Sequence, residues 1–167
     1  MGLSTAYIAL GGNLGDVPAS FREARETLNK LAGIQVIASS LLYRTPPLGP
    51  AGQPDYFNAV ISVETSMTPL ALLEVLQGIE TRAGRVRGER WGARTLDLDL
   101  ISFNEMTLES ERLALPHPEM HLRQFVLRPL CDLDANWQHP RLKQSADDLL
   151  AELLQHGEEP LREGCAW

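Results

Sequence analysis

Two periodicities alternate along this chain, and their order leaves few folds open. Ala6 to Leu10 reads as a short buried strand. Phe21, Ala24, Leu28 and Leu31 then recur at i, i+3, i+7 and i+10, one helical stripe that Asp16 caps, Pro18 enters and Gly33 ends. Ile34 to Tyr43 is apolar and β-branched enough for a single strand. Phe57, Ala59, Ile61 and Val63 alternate with Asn58, Ser62 and Glu64, as in a half-buried strand. Thr68 and Pro69 open a second helix that turns Leu72, Leu73, Leu76 and Ile79 inward and closes near Gly84. Leu96, Leu98, Leu100 and Ile101 mark a further strand.

The order strand-helix-strand-strand-helix-strand is a ferredoxin-like βαββαβ core. The expectation is an α+β fold, an antiparallel sheet with helices on one face. Gly11 to Gly15 is expected to be a tight turn, since it lacks the Gly-Lys-Ser/Thr ending of a phosphate loop. Residues 104–144 read as irregular and proline-marked, after which Ser145 caps a last helix carrying Leu149, Leu150, Leu153 and Leu154. At 167 residues without an evident linker, one domain spans 1–167, with a core to about 135 and a C-terminal extension over 136–167.

No run of eighteen apolar residues is present, and Met1 to Leu10 lacks the basic start of a secretory signal. Cys131 and Cys165 have neither the number nor the spacing of a disulfide framework or zinc site. A cytoplasmic monomer is expected, without a membrane partner. The net charge of −7 argues against a nucleic-acid binder.

Within that acidic chain, residues 82–94 hold Arg82, Arg85, Arg87, Arg90 and Arg94 against a single Glu89. A local positive patch on an acidic protein calls for a specific anionic ligand. Asp97 and Asp99 follow at alternate positions of a strand, so they share a face with Cα atoms about 6.6 Å apart. Carboxylates so placed suit a hard cation such as Mg²⁺. Arginines beside a magnesium-binding pair match a bound nucleoside triphosphate. Each feature alone is ordinary surface chemistry. Joined, with Trp91 and glycines between them, they read as a site with a lid.

Other candidates are weaker taken singly. Residues 45–56 hold four prolines and two glycines, a long loop suited to binding or gating. Tyr56 and Asn58 leave it at the start of a strand, where edge packing and a turn bond explain them equally well. Gln77 and Glu80 lie about 60° apart on the second helix, and plain solvation is an alternative for both. His117 stands between Pro116 and Pro118, a rigid setting that suits a phosphate donor, although lone histidines are more often structural.

Three stretches, in order, resemble the 6-hydroxymethyl-7,8-dihydropterin pyrophosphokinase family. They are Tyr43-Arg44-Thr45-Pro46-Pro47-Leu48-Gly49-Pro50 with Gln53-Pro54-Asp55-Tyr56-Phe57-Asn58-Ala59, then Arg90 to Asp99, then Pro116-His117-Pro118 with Arg123, Phe125-Val126-Leu127 and Pro129-Leu130. The likeness runs from the first strand to about residue 135. It implies transfer of the terminal diphosphate of ATP to the pterin hydroxymethyl oxygen, releasing AMP, in folate biosynthesis. Asp97 and Asp99 would hold two Mg²⁺ ions, and Arg85 and Arg94 would stabilise the transition state. Arg87, Arg90, Arg112, Arg123 and His117 would be further phosphate partners, His117 acting within the catalytic group. Gln77 and Glu80 would help hold ATP, Trp91 would cover the ligands, and backbone near Leu100 and Ala114 would meet adenine. The pterin would stack between Tyr56 and Phe125 and pair with Asn58, in a pocket lined by Thr45, Pro46 and Leu48. Where the family's loop reads Gly-Pro-Arg, this chain has Gly92-Ala93-Arg94. Gly88 stands where some members carry a lysine, and Gly12 where serine is usual.

Two other functions share parts of this pattern. A magnesium-dependent nucleotidyltransferase also uses an Asp-x-Asp pair. A non-enzymatic ferredoxin-like RNA-binding module needs exposed sheet aromatics, and only 6% of this chain is aromatic.

Overall fold

The computed structural model describes residues 2–46, 51–84 and 95–167. Strands β1 (Ser4–Gly12), β2 (Ile34–Ser39), β3 (Tyr43–Thr45), β4 (Tyr56–Thr65) and β5 (Asp97–Phe103) make one sheet. In it β2, β4, β1 and β5 lie side by side, with β3 also paired to β4. All of these pairings are antiparallel. Helices α1 (Val17–Lys30) and α2 (Pro69–Arg82) connect the strands. A ribbon of β6 (Leu108–Glu109) and β7 (Ala114–Leu115) precedes α3 (Gln124–Asp134) and α4 (Ala146–Gln155). The architecture is α+β on an antiparallel sheet.

Three helices begin where a side-chain oxygen takes up an otherwise unpaired amide of the first turn. Asp16 accepts from Ala19 N–H at 3.2 Å, Thr68 from Ala71 N–H at 3.2 Å and Ser145 from Asp148 N–H at 3.0 Å. The stripe Val17, Phe21, Ala24 and Leu28 of α1 and Leu72, Leu76 and Ile79 of α2 is buried against Ala6, Ile8 and Leu10 of β1 and Ala59, Ile61 and Val63 of β4.

The other face of the sheet is covered as well, which corrects the expectation of helices on one face only. Ala9, Val60 and Ile101 point away from the first cluster and pack with Met120, Val126, Leu127, Leu130, Trp137, Ala146 and Leu149. Thus α3 and α4 form a second helical layer. The reading of 104–144 as irregular fails at α3, where Pro129 lies inside the helix. Proline removes one helical hydrogen bond at a cost of about 3 kcal/mol, so in sequence it reads as a breaker. Burial of Val126, Leu127, Pro129 and Leu130 outweighs it.

The single strand expected over 34–43 is two strands. Ser40 separates them: its N–H donates to the Val60 carbonyl and its Oγ accepts from Val60 N–H, both at 2.8 Å. One serine thereby supplies a donor and an acceptor to β4 while the chain changes direction. The tail then closes over this break. Leu42 and Cys165 exchange backbone hydrogen bonds at 2.8 and 3.0 Å, and Trp167 Nε1 donates to the Ser40 carbonyl at 2.7 Å. Gly164 passes so close that a Cβ there would lie 2.7 Å from Leu41 Cβ. Arg25 lies over the Trp167 ring, 4.0 Å from its centroid.

Candidate active site

Sheet register builds the floor of the site. In the β1–β4 ladder Gly11 faces Asn58, and in the β1–β5 ladder Gly11 faces Asp97. One row therefore runs from Asn58 across Gly11 to Asp97, and Ala9 faces Asp99 in the next. Ala9, Val60 and Ile101 belong to the core on the α3 side, so strand alternation puts Asn58, Tyr56, Asp97 and Asp99 on that same face. Thr45 pairs with Tyr56 at the β3 end. Asn58 is buried, Asp97 and Tyr56 are half-buried, and Asp99 is exposed.

Gly11 is what opens the row. A Cβ built on it would stand 3.2 Å from Asn58 Oδ1. The expected tight turn over Gly11–Gly15 is corrected here: Gly11 and Gly12 end β1. Asn13 follows, buried, with Nδ2 donating to Gln53 Oε1 at 3.1 Å and to the Pro54 carbonyl at 3.0 Å. It ties the end of β1 to the segment that feeds Tyr56. Neither Gly11 nor Asn13 was read as functional from sequence. A glycine pair followed by a polar residue at a strand end is the only signal, and most such signals are turns.

The segment after β7 forms a wall. His117 N–H donates to the Ile101 carbonyl at 2.8 Å, fixing the loop to β5 two residues beyond Asp99. His117 Nδ1 accepts from Glu119 N–H at 3.1 Å, so a neutral ring carries its proton on Nε2. Burial pushes the His117 pKa down; Asp99 opposes that shift, Arg123 adds to it and Glu119 opposes it. The ring is thus held as a neutral donor beside a carboxylate. Arg123 NH2 donates to Glu119 Oε2 at 2.6 Å, and its guanidinium carbon lies 5.7 Å from the centroid of the Phe125 ring. Phe125, half-buried, packs on the core beneath the same face.

The remaining candidates lie on β5, on α2, at the β6–β7 ribbon and at the end of β3. Glu80 is buried, and its Oε2 accepts from Leu98 N–H at 2.8 Å, between the two aspartates. That excludes plain solvation for Glu80; Gln77 is exposed. Leu100 sends its side chain into the core on the other face, leaving its backbone for any ligand. Arg112 is exposed, donating to Glu74 Oε1 at 3.1 Å, and Ala114 is half-buried in β7. Pro46 is exposed at the end of β3. Leu48, Arg85, Arg87, Arg90, Trp91 and Arg94 lie outside the described residues.

Mg²⁺ takes one or two carboxylates and completes its octahedron with water and phosphate oxygens. Asp97 and Asp99, hard oxygen donors on one face of a strand, fit that requirement. Two carboxylates leave the other positions around such an ion to water and to an anionic ligand.

The model of the 7,8-dihydro-6-hydroxymethylpterin-pyrophosphokinase (HPPK) family matches residues 7–135, a span that includes the whole Asn58–Asp97 row and the 117–125 wall. The 2-amino-4-hydroxy-6-hydroxymethyldihydropteridine pyrophosphokinase of Haemophilus influenzae is 41% identical over 152 residues, covering 91% of this chain and 94% of that protein. The enzyme of the same name from Pseudomonas aeruginosa is 44% identical over 138 residues, covering 83% and 85%. Among solved structures, wild-type Plasmodium falciparum HPPK-DHPS with pteroate has a TM-score of 0.72 at 15% identity, over 92% of this chain. This chain spans 43% of that one, and at such low identity the likeness shows the fold alone. By the family match and the identity to its bacterial relatives, the chain belongs to the 7,8-dihydro-6-hydroxymethylpterin-pyrophosphokinase family.

Proposed function

We propose that this chain transfers the terminal diphosphate of ATP to the hydroxymethyl oxygen of 6-hydroxymethyl-7,8-dihydropterin, giving AMP and the pterin diphosphate in folate biosynthesis. The family and its named relatives support pyrophosphate transfer, and the enzyme is a transferase that takes ATP as co-substrate. The observation that carries the residue assignment is the row from Asn58 across Gly11 to Asp97. Two strand spacings, about 10 Å, separate a group that can pair with a pterin edge from one that can bind a metal-bound polyphosphate.

In this reading Asn58 hydrogen-bonds the pterin edge, and Tyr56 and Phe125 hold its two faces, with Thr45, Pro46 and Leu48 lining the pocket. The hydroxymethyl arm then lies over Gly11 and points towards Asp97. Its oxygen attacks the β-phosphorus in line; an O–P bond forms, the bond from the β-phosphorus to the α,β-bridging oxygen breaks, AMP leaves with that oxygen, and the hydroxyl proton is released to water. Arg85 and Arg94 stabilise charge on the transferred group, while Arg87, Arg90, Arg112, Arg123 and His117 contact phosphates. His117 donates through Nε2. Gln77, Glu80 and the backbone at Leu100 and Ala114 hold the nucleotide, and Trp91 covers the ligands. Positioning and preorganised charge supply most of the acceleration. Asp97 and Asp99 would hold two Mg²⁺ ions, which when bound neutralise the polyphosphate and make the alcohol more acidic.

We further read the sheet order as ferredoxin-like, with one domain over 1–167, a core to about 135 and an extension from 136. A cytoplasmic monomer that binds neither nucleic acid nor membrane fits this reading; among the described residues no helix is long and apolar enough to cross a bilayer. The test is direct: protein, ATP, Mg²⁺ and the reduced pterin are mixed and the products separated. AMP with a diphosphorylated pterin is expected. Free pyrophosphate with a nucleotidyl product would assign nucleotidyl transfer instead.

A further inference from the structure

Glu119 touches both described members of the phosphate wall, in two different ways. Its backbone N–H donates to His117 Nδ1 at 3.1 Å, and its carboxylate accepts from Arg123 NH2 at 2.6 Å. Arg123 is therefore bounded by an anion on one side and the Phe125 ring on another. Asp99 and Glu119 both act on the His117 ring through their charge, so the acid adds to the negative charge around it.

A carboxylate next to a polyphosphate site is costly unless it does something there. We propose that Glu119 is a positioning residue that competes with the triphosphate for Arg123. It holds the guanidinium in place, yields it to a phosphate oxygen, and keeps nucleotide affinity lower than the arginine alone would give. The inference rests on the reading of Arg123 as a phosphate partner.

The physics favours exchange rather than a permanent pair. The Glu119 side chain is 59% exposed and that of Arg123 26%, so the pair is screened by water and salt and is weak. A phosphate oxygen accepts a charge-assisted bond from guanidinium that is at least as strong, often in bidentate form. The phosphate wins, but only after the carboxylate is displaced. Arg112, the other described arginine given to the nucleotide, repeats the arrangement with Glu74 at 3.1 Å. Glu119 is the more informative of the two because its link to His117 runs through the backbone. Glu119→Gln therefore removes the charge and leaves the His117 contact in place.

The experiment measures the Kd of α,β-methylene-ATP with Mg²⁺ by calorimetry for the wild type, Glu119→Gln, Arg123→Ala and the double variant. Glu119→Gln is expected to tighten binding about two- to five-fold, the range of an exposed ion pair, with the gain shrinking at high salt. KM for ATP falls with it and kcat does not rise. A variant that merely damaged the fold would bind less tightly. Arg123→Ala weakens binding, and in that background Glu119→Gln has no further effect. If Arg123→Ala weakens binding but Glu119→Gln leaves it unchanged or weaker, the competition is refuted while the phosphate reading of Arg123 stands. Tightening that persists without Arg123 also refutes it, since the charge then acts on the nucleotide directly. Should Arg123→Ala leave affinity untouched, the phosphate reading falls and the proposal with it.

Discussion

Gly11 stands directly opposite Asp97 in the β1–β5 ladder and opposite Asn58 in the β1–β4 ladder, so the β1 position between them carries no side chain. Adding a methyl group there puts a Cβ 3.2 Å from Asn58 Oδ1. Gly11→Ala is therefore expected to raise KM for the pterin by about ten-fold, the scale of one misplaced methylene in a pocket, with a smaller effect on the Kd of a nucleotide analogue. Steady-state kinetics with each substrate varied in turn decide it; equal loss for both would put Gly11 outside the pterin path.

Asp97→Ala and Asp99→Ala each remove one carboxylate from the face that is proposed to bind Mg²⁺. Each is expected to lower kcat/KM on the order of 10²–10³-fold, with a dependence on Mg²⁺ shifted to higher concentration. Chelation of the wild type with EDTA should abolish turnover, and added Mg²⁺ should restore it. Near-normal rates in either variant would sink the metal assignment.

Arg94 lies outside the described residues, but its proposed role gives a kinetic signature. Arg94→Ala is expected to depress kcat on the order of 10²-fold while nucleotide affinity changes little, because the interaction matures only in the transition state. A pure KM effect would recast it as a binding residue.

His139 supplies a test of the fold. It is buried, its Nδ1 accepts from Arg141 N–H at 3.2 Å and Leu142 N–H at 3.1 Å, and burial first, then His121 and Arg141, push its pKa down to about 4. The unfolded chain takes up this proton near pH 6.5, the folded one only near 4, so folding releases it in between. Stability is complete above pH 6.5 and lost as pH falls towards 4, by up to about 3 kcal/mol. His139→Asn keeps an acceptor near the Nδ1 position and removes the titration. Denaturant unfolding between pH 7 and pH 4 should show a flatter profile for the variant; parallel profiles would contradict the assignment.

Part of this was legible in the residues themselves. Asp16, Thr68 and Ser145 announce their helices because a cap is a local event, completed within three residues. Asp97 and Asp99 are legible because strand alternation alone puts them on one face. What hides is whatever depends on distant partners. Pro129 disguises α3 since only the burial of its neighbours, set by the sheet, outweighs the missing hydrogen bond. Ser40 splits a continuous apolar run through bonds to Val60, twenty residues away. The second helical layer is hidden for a related reason: Ala9, Val60 and Ile101 look like the weak side of half-buried strands until α3 and α4 cover them. Gly11 becomes meaningful only once its two ladder neighbours are known.

The outer rim of β5 has a last consequence. Its amide at Leu98 is spent on Glu80 and its carbonyl at Ile101 on His117 N–H, so two of the groups that an approaching strand would use are already engaged. A bare sheet margin recruits copies of itself and seeds aggregates. By engaging these two, the enzyme lets its acidic strand lie at the border of the sheet, within reach of solutes, while leaving an incoming chain fewer groups to pair with. Protein in which Glu80 is replaced should accordingly clump more readily on storage.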